Sequence, residues 1–396
     1  MKKYCLLLVF CSLFFSCEEH ISIEDNSVIT VDVTESYSKK ELYLQDIFDI
    51  EYIPLETSDD FITSGQVQDV GDKFIVVKNQ GRTDGNIFIF DRKGKGVRVI
   101  NHRGNGVGEY LNILKVVLDE NQEELLVNSH YSKKILVYDL CGNFKRFFNQ
   151  REKYFYDDMN ILNKDYLICH DGYVNFEGEN VKRNLFLLIS RQDGKEEDIN
   201  IPYDNMKTNL IIENKNGKIR DWSIFNKQLL PYKDGFVLVE LSSDTIYKCS
   251  SDKMLSPFII REPSIQVMEP EVYLYPNVLT ERYCFMQTVK KQFDFDVDKD
   301  LERKDLVYDR KEKRIFEVSL YNKDFVEKTP VNIMFDPFGL SFVKNENIAF
   351  VKKIDAAELV ERYRDGGLQG ELKEIASHLD EEDNPVVMIF KYKRYE

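Results

Sequence analysis

The chain has 396 residues, 43% hydrophobic and 13% aromatic, with 69 Asp and Glu against 54 Lys and Arg, for a formal charge of −15. That balance excludes a nucleic-acid partner held through phosphates, which requires clustered Lys and Arg, and it fits the solvated surface of an exported protein. Beyond the first twenty residues no stretch reaches the ~18 apolar residues that a membrane span needs.

At the N-terminus, Lys2 and Lys3 precede an apolar run from Leu6 to Phe15, too short for a stable span. Ser16-Cys17 closes the run and Glu18-Glu19 follows, an arrangement that resembles a bacterial lipobox, with Phe14 where an aliphatic residue is usual. The resemblance implies a signal peptide over 1–16, an acylated Cys17 and a tether over 17–27. The mature chain is then an outer-membrane lipoprotein, on the periplasmic face or the cell surface. Its membrane contact is the lipid anchor on Cys17, at about 0.8 kcal/mol per buried CH₂. Cys141, Cys169, Cys249 and Cys284 are widely spaced without a CxxC pair, so they read as buried free thiols rather than a zinc or redox motif.

From residue 28 the chain consists of short Val-, Ile-, Phe- and Tyr-rich segments broken by Asn, Asp and Gly, with almost no helical periodicity before residue 355. The segment from Ile87 to Ile100 aligns without gaps on that from Ile135 to Phe148, at an offset of 48 residues. Each reads as a strand, a turn entered by Asp91 or Asp139 and relieved by Gly94 or Gly142, and a second strand. Lys73 to Val77 and Glu124 to Val127 supply a preceding strand in each unit. Weaker copies follow at Leu185 to Gly194, Phe236 to Lys248 and Leu306 to Val318, with an inner strand at Asn347 to Lys352. A period in the forties with several strands per unit implies propeller blades, since one small sheet cannot bury its own faces.

The fold expected is therefore all-β, a six-bladed β-propeller over 28–396. A short helical insertion, about 355–380, precedes the closing strand. Ala356 to Arg364 reads as one helix, Leu368, Leu372, Ile375 and Leu379 as the apolar stripe of a second, and Val386 to Tyr392 as a strand. Val28 to Val33 or Ile50 to Leu55 is expected to share a sheet with that strand and close the ring.

Several motifs carry a family resemblance: Glu51 to Thr57, the Arg103 to Tyr110 loop, the paired Asp-x-x-Gly hairpins, and the closing Glu371 to Ala376 with Asp383 to Val386. Together they resemble the six-bladed β-propeller lipoproteins of gut-type Gram-negative anaerobes, relatives of the NHL-repeat propellers. The resemblance implies a fold and an address and no particular activity.

With strands lettered a to d from axis to rim, the d-to-a and b-to-c connections share one face. Arg103, Glu109, Tyr110, His130 and His170 fall on such connections and are the candidate binding residues near the channel mouth. Gly104-x-Gly-x-Gly108 lacks the βαβ context of a dinucleotide fingerprint and reads as a tight turn. The Asp294 to Asp300 run resembles a calcium loop, but Lys299 and Asp305 stand where glycine and a bidentate Glu belong. No catalytic motif occurs and no cofactor is expected. The leading expectation is a binding or scaffold protein of the cell envelope, meeting a glycan, peptide or protein partner. The alternative is a metal-dependent lyase or hydrolase that uses His130, His170 and a carboxylate at the channel mouth.

Overall fold

Phe74–Lys78 and Asn86–Asp91 are apolar at successive positions rather than alternate ones, the pattern of a sheet covered on both faces. The computed structural model shows what covers them. It describes residues 27–79, 81, 84–173, 182–297, 300–334, 336 and 339–393. The segment 1–16 read as a signal peptide, and Cys17, lie outside the described residues.

Six sheets, each with four strands of the repeat, surround an axis. Blade 1 is Gln66–Val70, Phe74–Lys78, Asn86–Asp91 and Gly96–Asn101, and blade 2 is Lys115–Asp119, Glu124–Ser129, Lys134–Asp139 and Phe144–Asn149. Blade 3 is Tyr156–Ile161, Tyr166–Asp171, Phe186–Ser190 and Glu196–Ile199, and blade 4 is Leu229–Tyr232, Gly235–Leu238, Thr245–Cys249 and Leu255–Glu262. Blade 5 is Val272–Leu279, Tyr283–Lys290, Arg303–Asp309 and Arg314–Tyr321. Blade 6 takes Leu340–Ser341, Ile348–Ile354 and Val386–Tyr392 from the end of the chain and Phe48–Pro54 from its beginning. The six-bladed propeller expected from the repeat is the fold observed. The strand expected as an inner one, Ile348–Ile354, is second from the axis, behind the two-residue Leu340–Ser341.

The core lies in the seams between blades. In blade 1, Ile75 and Val77 join the cluster shared with blade 6, while Val76, between them, joins the one shared with blade 2. The same alternation puts Leu126 toward blade 3 and Leu125 toward blade 1. Asp91 and Asp139 hold the hairpin turns: Asp91 Oδ1 accepts from the amides of Lys93 and Lys95, and Asp139 Oδ1 from those of Cys141 and Asn143. Gly94 and Gly142 take φ of 82° and 89°, a left-handed conformation that favours glycine.

Ring closure follows one of the two pairings expected. Phe48–Pro54 runs antiparallel to Val386–Tyr392, with Ile50 opposite Phe390. The segment from Val28 to Val33 goes elsewhere: Ile29–Asp32 adds parallel to the outer strand of blade 4, and Lys39–Tyr43 adds in the same way to blade 5. The N-terminal segment thus belts two blades before completing a third, an arrangement that left no periodic signal. Cys169, Cys249 and Cys284 are buried free thiols, as expected, but Cys141 is exposed, because it occupies a hairpin turn at the rim.

The helices Ala356–Arg364 and Gly370–Ala376 form the b-to-c connection of blade 6. Asn384, which follows them, ties the insertion to the chain that leads into blade 1: its Nδ2 donates to the carbonyls of Glu56 and Phe61, and its Oδ1 accepts from Thr63 N.

The closing sheet rests on three rings. Phe350 and Phe390 stack at 4.0 Å, and Phe48 meets both edge-on at 5.3 and 5.8 Å. Truncating Phe390 to alanine empties the centre of that cluster at the join between chain ends. The expected cost is about 3–5 kcal/mol, visible as a lower midpoint in thermal or urea unfolding. An unchanged midpoint would show that the ring does not depend on this join.

Candidate functional site

The two faces of the ring are unequal. The a-to-b and c-to-d connections are short turns, while the opposite face carries the excursions 200–228, 291–302, 322–339 and 355–385. Within the first, the hairpin Leu210–Lys215 and Lys218–Ser223 stands against blade 5, with Trp222 stacked on Phe293 at 4.5 Å. All five candidate residues lie on this elaborated face, on or beside the connections expected.

The structure does not gather the five at one point. Tyr110 is fully buried between blades 1 and 2, where its hydroxyl donates to the Gly85 carbonyl and accepts from His102 N. Glu109 folds back on its own turn, accepting from Gly106 N. Arg103 is exposed, and its backbone is held by a bridge to Tyr110. These three build a turn. His130 follows strand b of blade 2 and packs edge-on against Phe155 at 4.6 Å, with Tyr131 beside it.

His170 is the last residue but one of strand b of blade 3, within the strand rather than on the connection expected, and is 3% exposed. A bulge explains its setting. In blade 3 Tyr156 pairs with Asp171 and Asp158 with His170, so Asp157 is extra. Bulges turn a side chain away from the regular pleat, and here Asp157 Oδ1 meets His170 Nδ1 at 2.6 Å. Nε2 of the same ring is buried with no hydrogen-bond partner among the described residues.

Blade 4 answers across the seam. Lys227 Nζ lies 3.2 Å from Asp158 Oδ2. The hairpin register of blade 4, extended by the Val239 N to Gln228 O bond, carries Glu240 opposite Lys227. Glu240 is 3% exposed, accepts from Ser242 N and sits within electrostatic reach of His170. Two carboxylates, an imidazole, an ammonium and a buried carboxyl therefore converge where blades 3 and 4 meet. In the sequence only the doubled acid Asp157-Asp158 inside an apolar strand hinted at this. Lys227 and Glu240 flank a four-residue strand pair and gave no signal.

Burial pulls the His170 imidazole down, but the charge and hydrogen bond of Asp157, with Asp171 and Asp158 behind, hold it above its ordinary value. Burial also raises Glu240, against the Ser242 hydrogen bonds. Asp158 is held low despite its burial by Lys227 and Lys115. Lys115 continues the polar patch toward blade 1, where burial raises Asp69 to about 6.

Charged and polar groups also close the open edges of the inner strands. Gln68 Oε1 and Asp69 Oδ2 of blade 1 accept from Val116 N and Leu118 N of blade 2. On the far face Lys344 of blade 6 spans the axis and donates to the Ile161 and Leu162 carbonyls of blade 3.

Among the described residues, no three His, Cys, Asp or Glu side chains are grouped to hold a metal. In the acidic run Asp296 pairs with Lys215 and Arg220, Asp294 accepts from the amides of Asp296 and Val297, and Asp305 lies within strand c of blade 5, bonded to Gln287. Asp298 and Lys299 lie outside the described residues.

Two expectations follow. Because the folded pKa of His170 is raised, its pairing with Asp157 stabilises the protein fully below the unfolded value near 6.5, and that contribution is lost as pH rises through the folded value. Denaturation series from about pH 5 to 9 should show the stability gap between wild type and Asp157→Asn closing on the alkaline side; a gap independent of pH would contradict this. Lys344→Ala strips two inner-edge carbonyls of their donor and should cost about 1–3 kcal/mol, measured by urea unfolding. Unchanged stability would mean the strap across the axis is idle.

No helix among the described residues is long and apolar enough to cross a membrane. In sequence, no curated protein matches the chain. In structure it is similar to a protein expected to be exported from Bacteroides fragilis NCTC 9343, at 15% identity and TM-score 0.57, covering 90% of this chain and 100% of that one. A member of the DUF4221 family from Bacteroides vulgatus ATCC 8482 is similar at 12% identity and TM-score 0.48, covering 88% of this chain and 98% of that one. These likenesses concern the fold. The sequence itself goes further, for residues 28–391 match the family described as a domain of unknown function, DUF4934, and the chain belongs to that family.

Proposed function

We propose that the chain is an exported, lipid-anchored binding or scaffold protein of the cell envelope, of the NHL-like propeller kind, tethered through Cys17 to the outer membrane. Its elaborated face takes a hydroxyl-rich glycan segment where blades 3 and 4 meet. The observation that carries this reading is the seam itself. There His170 Nε2, without a hydrogen-bond partner among the described residues, lies with the Asp157 and Asp158 carboxylates, the Glu240 carboxyl and the Lys227 ammonium, so that donors and acceptors are mixed. Hydroxyl groups both donate and accept, and they bring no charge to desolvate. On the same face, where blades 2 and 3 meet, Tyr131, 61% exposed, and half-buried Phe155 flank His130 and offer ring faces on which a sugar can lie. The long excursions of this face are carried on a rigid ring, the usual placement of a binding surface.

The test is calorimetric titration of purified protein with soluble envelope oligosaccharides and peptidoglycan fragments. Saturable binding is expected, weakened about tenfold, or 1.4 kcal/mol, by Tyr131→Ala and by His170→Ala separately. If no oligosaccharide binds, or if both variants bind as wild type does, the seam is not the glycan site.

A further inference from the structure

Among the described residues the outer strands of blades 1, 2, 3 and 6 have no strand beyond them, whereas those of blades 4 and 5 are each covered by a parallel strand from the N-terminal segment. An uncovered edge presents unpaired backbone groups to any extended chain, and proteins commonly guard such edges with charge. Blade 2 does so with Lys145 and Arg146, and blade 3 with Glu196, Glu197 and Asp198. Blade 1 does not. Its edge strand Gly96–Asn101 sets Val97 and Val99 around a single Arg98, and Val97 is 46% exposed.

A groove lies along that edge. Its volume is about 580 Å³, and it is lined by Asn86, Phe88, Val97, Arg98 and Val99 of blade 1 and by the facing segment from Asp59 to Ile62. Phe61 packs against Phe88 and Phe90 at 6.4 and 5.4 Å and forms the apolar floor, while Ile62, 64% exposed, stands at the lip. Asp59 and Asp60 are both exposed, and neither makes an ion pair among the described residues.

The geometry points to this groove as a docking site for an extended peptide segment of another protein, which adds as a fifth strand to blade 1. The ring already makes the same addition twice with its own chain, so the strand direction is parallel to Gly96–Asn101, as it is at blades 4 and 5. Backbone pairing supplies the affinity, and alternate side chains entering the groove supply the selection. The floor of Phe61, Phe88 and Val99 selects apolar residues at every second position. The carboxylates of Asp59 and Asp60 select a Lys or Arg at the end of the segment beside them. This site is remote from the seam of blades 3 and 4 and does not rest on glycan binding there.

The probe is a labelled peptide, Lys-Thr-Val-Thr-Val-Thr-Lys, titrated into the full-length mature chain by fluorescence anisotropy. Its control replaces the central threonine with proline, which removes a backbone donor and the extended pairing. Saturable binding of the probe and little of the control is expected, with slowed amide exchange at Val97 to Ile100. Val97→Lys should weaken binding about tenfold, and Asp59→Asn with Asp60→Asn by several-fold together with its salt dependence. Both substitutions are on exposed side chains, so thermal midpoints close to wild type verify that the fold persists. No saturable binding, equal binding of the proline control, or protection at Phe144–Asn149 or Glu196–Ile199 instead of blade 1 would each overturn the assignment.

Discussion

Each blade is a sheet about four strands wide that must hide two apolar faces, and it can do so only between two neighbours. Everything else in the molecule follows from that requirement. Successive residues such as Ile75, Val76 and Val77 point alternately into two different seams, so the strands are continuously apolar where a one-sided sheet would alternate. A row of such blades would leave two sticky ends, and only a closed ring removes them. Closure by antiparallel pairing of Phe48–Pro54 with Val386–Tyr392 is the remaining step, and the Phe48, Phe350 and Phe390 cluster is where its burial is concentrated.

The same geometry creates the site. Inner strands converge on the axis with one edge unpaired, and a buried backbone group must find a partner. Side chains of neighbouring blades provide it, as Gln68, Asp69 and Lys344 do. Polar residues are therefore obligatory near the axis, and a small rearrangement of them suffices to make a binding surface. The extra residue at Asp157 is such a rearrangement. It turns a carboxylate onto His170 without disturbing the pairs on either side.

How far this was legible in the sequence depended on local regularity. Blades 1 and 2 were readable because their hairpins share a turn chemistry, Asp accepting from two amides and Gly in the left-handed region, at an unchanged spacing. The helices before Val386–Tyr392 and the role of Ile50 to Leu55 in closure were readable from apolar stripes and strand chemistry. The belt formed by Ile29–Asp32 and Lys39–Tyr43 was not, because parallel edge additions join residues hundreds of positions apart and leave no local pattern. At the site, His130 lies in the turn after strand b of blade 2, His170 lies within strand b of blade 3 rather than on the connection expected, and Tyr110 and Glu109 proved to be turn-builders, since a loop sequence does not reveal whether its side chains fold inward. Lys227 and Glu240 were invisible for a related reason: their meaning comes from the blade opposite.

The N-terminal belt has a consequence for how the molecule is assembled as it is made. Residues 29–54 emerge long before their partners, which are 259–262, 317–321 and 386–392. Blades 1 to 3 can form from contiguous chain while the leading segment waits, and the final three sheets are finished only when it threads past them in turn. Contacts of such sequence separation make for slow completion. Synthesis from the N-terminus must therefore keep that leading strand apart from other edges until the polypeptide has been made in full.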